Sequence, residues 1–123
     1  MLDKVVRAAA LMLILLAGVP SELLAGESGA DLYKTYCWQC HGKNGDGMGV
    51  NVRDMSVQPR NHTDAKEMSS RSDEELFKAI SEGGQAISKS VLMPPWGGSL
   101  SDDEIHALVA YLRELCQCQH GGS

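Results

Sequence analysis

The sequence predicts a small, loop-rich, all-α domain, and three observations carry that reading. Two stretches, Ser72-Asp73-Glu74-Glu75 and Ser101-Asp102-Asp103-Glu104, have the S-x-x-E pattern of a capping box. Behind the second, Ile105, Leu108, Val109, Leu112 and Leu115 recur at helical spacing and form one apolar stripe. No run shows the apolar–polar alternation of a convincing strand.

Length and composition set the outer bounds. A chain of 123 residues has room for one domain. With 43% apolar and 22% charged residues it is too apolar for a disordered chain. A net charge of −5 argues against nucleic-acid binding, which needs a dense basic face.

At the N-terminus, Lys4 and Arg7 precede an unbroken apolar run from Ala8 to Val19, followed by Pro20-Ser21 and Leu23-Leu24-Ala25-Gly26. This reads as a secretory signal peptide over residues 1–25, cut after Ala25. As a helix the run rises about 18 Å against a hydrocarbon core of roughly 30 Å, so no membrane span is expected after cleavage. An uncleaved anchor is the alternative. The remainder, residues 26–123, would hold the domain with its six aromatics, Tyr33, Tyr36, Trp38, Phe77, Trp96 and Tyr111. A core this small calls for a disulfide, a metal or a large cofactor.

The first helix is expected from Gly29 to Gln39, with Leu32 and Tyr36, and Tyr33, Cys37 and Cys40, at helical spacing. It runs into Cys37-Trp38-Gln39-Cys40-His41, a C-x-x-C-H motif that reads as c-type haem attachment. Two thiols three positions apart lie on neighbouring faces of a helical turn and can add to the two vinyl groups of a porphyrin. His41 follows directly and can ligate the iron. Two haem-free alternatives exist. A zinc site would use Cys37, Cys40, Cys116 and Cys118 as four thiolates, although C-x-C is an unusual spacing for one. A thioredoxin-like dithiol would need a βαβ context.

Residues 42–63 are rich in Gly, Asn, Asp, Arg and Pro and read as a long loop, a length that in a compact domain points to function. The first capping box opens a helix to about Glu82, with Leu76, Phe77 and Ile80 facing inward and Gly83-Gly84 ending it. The second opens a helix to about Leu115. Acidic residues in both first turns suit the helix dipole.

The second axial position decides what a haem here does. A closed iron favours electron transfer, and an open one favours binding or catalysis, as in a pentacoordinate sensor or enzyme subunit. Candidates are Met48, Met55, Met68, Met93, His62, His106 and His120. His106 reads as a partly exposed helix residue, and Met48 and Met68 as loop residues among polar neighbours. Met93 stands before Pro94-Pro95-Trp96-Gly97-Gly98, where two prolines stiffen the backbone. By itself a methionine is usually a core gap-filler; behind a haem motif, Met93 is the expected ligand.

The tail Cys116-Gln117-Cys118-Gln119-His120 admits four readings. They are an internal disulfide, a disulfide-linked dimer through Cys116 or Cys118, a metal site using His120, and contacts to another protein's cofactor. An exported chain favours disulfides.

Taken together, these residues resemble a small monohaem class I cytochrome c of the kind found in bacterial respiratory chains. The resemblance covers roughly Gly29 to Leu115. Gly29 and Tyr33 precede the first haem cysteine as a glycine and an aromatic do in that family, and Leu108 and Tyr111 match its last helix. It implies three to five short helices wrapped around one covalent haem c. His41 and Met93 would be the axial ligands, and the Pro59 carbonyl would accept a hydrogen bond from His41. Arg60 and Trp96 would contact the haem propionates. It further implies an electron carrier rather than an enzyme, located in the bacterial periplasm. Its partners would be a redox donor and a redox acceptor, which the acidic balance suggests have basic docking faces.

Overall fold

The structure, a computed structural model, describes residues 26–122, so the expected signal peptide over residues 1–25 lies outside the described residues. Helix α1 spans Gly29–Tyr36, α2 Trp38–His41, α3 Ala65–Ser69, α4 Asp73–Glu82 and α5 Asp102–Cys116, with a 3-10 turn at Gly84–Ile87. No β-strand occurs among the described residues; an isolated bridge joins Gln119 and Gly122. The all-α expectation holds.

Local chemistry sets the helix starts. Ser28 caps α1 by accepting from the Asp31 N–H at 3.2 Å. Ser72 and Ser101 form complete capping boxes with Glu75 and Glu104. The expected single helix from Gly29 to Gln39 is broken at Cys37, which ends α1 at φ −111° and begins α2. The break offsets the haem motif from the stripe of α1. The expected loop over 42–63 is irregular, but α3 directly behind it was not anticipated. Its cap is local: Asp64 accepts from the Glu67 N–H at 3.0 Å, a D-x-x-E pattern legible in the sequence.

The core forms where α1 crosses α5. A Cβ on Gly29 would lie 2.1 Å from the Ala107 carbonyl oxygen, so only glycine lets the two backbones come this close. One turn on, the rings of Tyr33 and Tyr111 meet edge to face at 5.3 Å. Leu32, Ile105, Leu108, Val109 and Leu112 are buried around this crossing, and Leu76 and Ile80 of α4 complete it. Met68 is fully buried in the same core, a correction to its reading as a polar-loop residue, because α3 turns it inward. His106 is exposed, as expected, and its ring lies 4.7 Å from that of Phe77.

Arg113 is a buried charge that the apolar stripe of α5 did not reveal. Its guanidinium donates to the Met68 carbonyl at 2.8 Å, the Arg71 carbonyl at 2.5 Å and Asp73 Oδ1 at 2.8 Å, tying α3 and the start of α4 to α5. Cys116 and Cys118 are bonded to each other and buried, with Gln117 between them in the left-handed region at φ 50°. Both tail thiols are thereby used within the chain, in line with the internal-disulfide reading. The Gly121 N–H, donating to the Ser69 carbonyl at 2.8 Å, hooks the tail onto α3.

Candidate functional site

The haem motif, the loop after it, α4 and the Met93 segment enclose one cleft of about 800 Å3. That is within the ~300–1,000 Å3 usual for small-molecule and cofactor sites. Cys37, Cys40, His41, Met55, Met93 and Trp96 all line it, with α4 and α5 contributing Leu76, Ile80, Leu108 and Leu112.

Cys37 and Cys40 are unpaired and partly buried. Burial, reinforced by the neighbouring Cys40, pushes the Cys37 thiol up to about 12. It is therefore a neutral thiol facing an apolar cleft. The four cysteines do not assemble into one site. The tail pair is disulfide-bonded, and no three His, Cys, Asp or Glu side chains among the described residues cluster to hold a metal ion.

The His41 ring is held by its Nδ1–H, which donates to the Arg60 carbonyl at 3.1 Å. This corrects the expected acceptor, Pro59. The residue responsible is one place further on, because the 59–62 segment comes back against α2 through the His62 N–H, which donates to the Gly45 carbonyl at 2.6 Å. Burial holds His41 below the ordinary imidazole value, with the bond to Arg60 partly opposing it. With Nδ1 committed to the backbone, Nε2 is the ring nitrogen left free.

Met93 is placed by backbone contacts to the end of α4. The Gly84 N–H donates to the Met93 carbonyl at 3.0 Å, the Trp96 N–H to the Ile80 carbonyl at 3.0 Å and the Gly97 N–H to the Ser81 carbonyl at 3.0 Å. Gly83 makes this approach possible. It adopts φ 82°, ψ 173°, and a Cβ there would lie 2.9 Å from both the Met93 oxygen and the Pro95 nitrogen. Gly83-Gly84, expected to end a helix, therefore also seats the Met93 segment.

The remaining candidates separate by position. Met55 lines the cleft, Met48 is 74% exposed, and His120 is exposed on the tail. Arg60 lines the cleft, but its guanidinium is paired with Glu67. Trp96 lies 5.1 Å from the Tyr36 ring. His62 was considered only as a ligand; the structure buries it flat against His41, 4.2 Å between ring centroids.

Haem c fits this donor set. Two unpaired thiols, an imidazole with a free Nε2 and the thioethers of Met55 and Met93 share one apolar-walled cleft. The charged residues of its lining are Arg60, Arg71, Lys78 and Lys89 against Glu67 and Glu75, an excess of positive charge that suits two propionates.

The comparisons with known proteins agree. The family described as cytochrome c oxidase, cbb3-type, subunit III matches residues 25–112. The cbb3-type cytochrome c oxidase subunit FixP of Azorhizobium caulinodans is 28% identical over 96 residues, which is 78% of this chain and 29% of FixP. The chain thus spans less than a third of that relative's length. Among solved structures, the KustC0563 c-type cytochrome aligns with TM-score 0.57 and 28% identity, covering 72% of this chain and 98% of that one. A chain of the Kuenenia stuttgartiensis reducing HAO-like protein complex Kustc0457/Kustc0458 aligns with TM-score 0.57 and 29% identity, covering 74% of this chain and 42% of its own. The all-α fold, the cleft and the family match converge: the chain belongs to the family described as cytochrome c oxidase, cbb3-type, subunit III, and is a small monohaem c-type cytochrome domain that carries covalent haem c.

Proposed function

We propose that this domain carries single electrons between redox proteins on a haem bound through Cys37 and Cys40, with His41 and Met93 filling both axial positions. The haem supplies a ferrous–ferric couple. The chain's part is to hold the two ligands fixed, so that no ligand exchange accompanies electron transfer. Arg60 holds the His41 tautomer through its carbonyl, the α4 end anchors Met93, and the apolar walls exclude water and favour the ferrous state. The observation that carries this reading is that Met93, far along the chain from the haem motif, lines the same cleft as Cys37, Cys40 and His41. Trp96, also in that lining, is assigned to a propionate, and Arg60 to the other through whatever of its guanidinium Glu67 leaves free.

The domain has no substrate of its own and acts as a free carrier or as the cytochrome subunit of a larger oxidoreductase. Residues 1–25 direct it to the bacterial periplasm and are removed. Among the described residues no helix is long and apolar enough to cross a membrane. The net charge of −5 steers it to partners with basic docking faces.

A pyridine haemochrome spectrum of purified, processed protein tests the attachment; colourless protein from a host able to mature c-type haem overturns it. The sulfur-to-iron absorption band of the ferric protein is expected to vanish in Met93→Ala and persist in Met55→Ala. The opposite result moves the ligand to Met55, and carbon monoxide binding to the reduced parent at neutral pH means an open iron.

A further inference from the structure

We propose that His62 is a positioning residue that sets the plane of the His41 imidazole and, through it, the orientation of the proximal ligand at the haem iron. The geometry behind this is a stack. The two imidazoles are nearly parallel, 17° apart, with centroids separated by 4.2 Å. The hydrogen bond from His41 Nδ1–H to the Arg60 carbonyl fixes one ring atom. A single bond leaves the ring able to rock about that contact, whereas a flat face against it removes the rocking freedom.

His62 can serve as such a face only if it is itself held, and it is held at both ends. Its backbone N–H donates to the Gly45 carbonyl at 2.6 Å. Its Nδ1 lies 3.2 Å from Tyr33 Oη, and the two rings meet edge to face at 5.8 Å. Burial keeps the Tyr33 phenol above its ordinary value. The phenol therefore keeps its proton and donates to Nδ1, which pins the His62 ring in the plane that faces His41. Tyr33 packs against Tyr111 at the α1–α5 crossing, so the His41 plane is referred back to the buried core of the fold.

A plain core-filling role makes a different prediction, and volume-preserving variants separate the two. The proposal rests on His41 ligating the iron; that reading is checked first and separately, by loss of the low-spin ferric spectrum in His41→Ala. The test is the proton NMR spectrum of the ferric holoprotein, where the order and spread of the haem-methyl resonances follow the axial imidazole plane. His62→Phe keeps a flat ring and is expected to retain the parent order. His62→Leu fills the same space without a face and is expected to reorder the methyls or compress their spread. Identical patterns in these two variants overturn the proposal, whatever happens to thermal stability. If His62→Leu does not assemble with haem, His62→Met takes its place as the variant of similar volume without a flat face, and a pattern identical to that of His62→Phe overturns the proposal.

Discussion

Gly83→Ala is the substitution in which fold and ligation are most directly coupled. Gly83 sits at φ 82°, ψ 173°, a region that is essentially glycine-only. Holding another residue there costs about 1–3 kcal/mol. The added methyl would also lie 2.9 Å from the Met93 carbonyl oxygen and 2.9 Å from the Pro95 nitrogen. Overpacking of this kind costs about 1–3 kcal/mol. The backbone it strikes is the segment carrying Met93, so the cheapest relief is for that segment to lift off α4. If about 3 kcal/mol is relieved in that way, the ratio of detached to seated Met93 segment rises more than roughly 100-fold, since ~1.4 kcal/mol is tenfold. The assay pairs guanidinium unfolding of the holoprotein with the intensity of the sulfur-to-iron band. Gly98→Ala is the control. A Cβ there meets nothing within 4 Å and the backbone has no positive φ, so a change within about 0.5 kcal/mol is expected. Gly83→Ala matching Gly98→Ala in both readouts would refute the reasoning.

Three further outcomes are expected. The double variant Cys37→Ala, Cys40→Ala should hold no haem through acid–acetone extraction and lose much of the native far-UV helicity, because the cleft walls then have nothing to pack against; undiminished helicity counts against the cofactor completing the core. Arg113→Met leaves the Met68 and Arg71 carbonyls without their donor and should cost about 2–4 kcal/mol in guanidinium unfolding. The Asp73 contact adds little, since that side chain is 57% exposed, and a loss under about 1 kcal/mol would mean that water replaces the guanidinium. Glu104 is held below its ordinary value of 4.5, first by the Ser101 backbone N–H and then by the Ser101 hydroxyl. A depressed carboxyl contributes stability above the ordinary value and loses it as pH falls through its folded value. Glu104→Gln should therefore flatten the acid limb of the stability–pH curve below 4.5; an unchanged limb would assign that loss to other carboxyls.

The residues alone reveal the features that depend on neighbours three or four positions away. The two capping boxes, the stripe of α5 and the C-x-x-C-H motif are local patterns, and a helix or a covalent attachment needs little more than correct spacing. That Met93 stands at the head of a stiff segment was legible for the same reason, because two prolines follow it directly. What lies opposite what emerges in the folded chain. The fold broke the first helix at Cys37, moved the His41 acceptor from Pro59 to Arg60, buried Met68 and Arg113, and brought His62 flat against His41. Apart from the local break at Cys37, each of these depends on contacts between segments far apart along the chain, and no spacing rule within one segment encodes which loop residue will return to face a given ring.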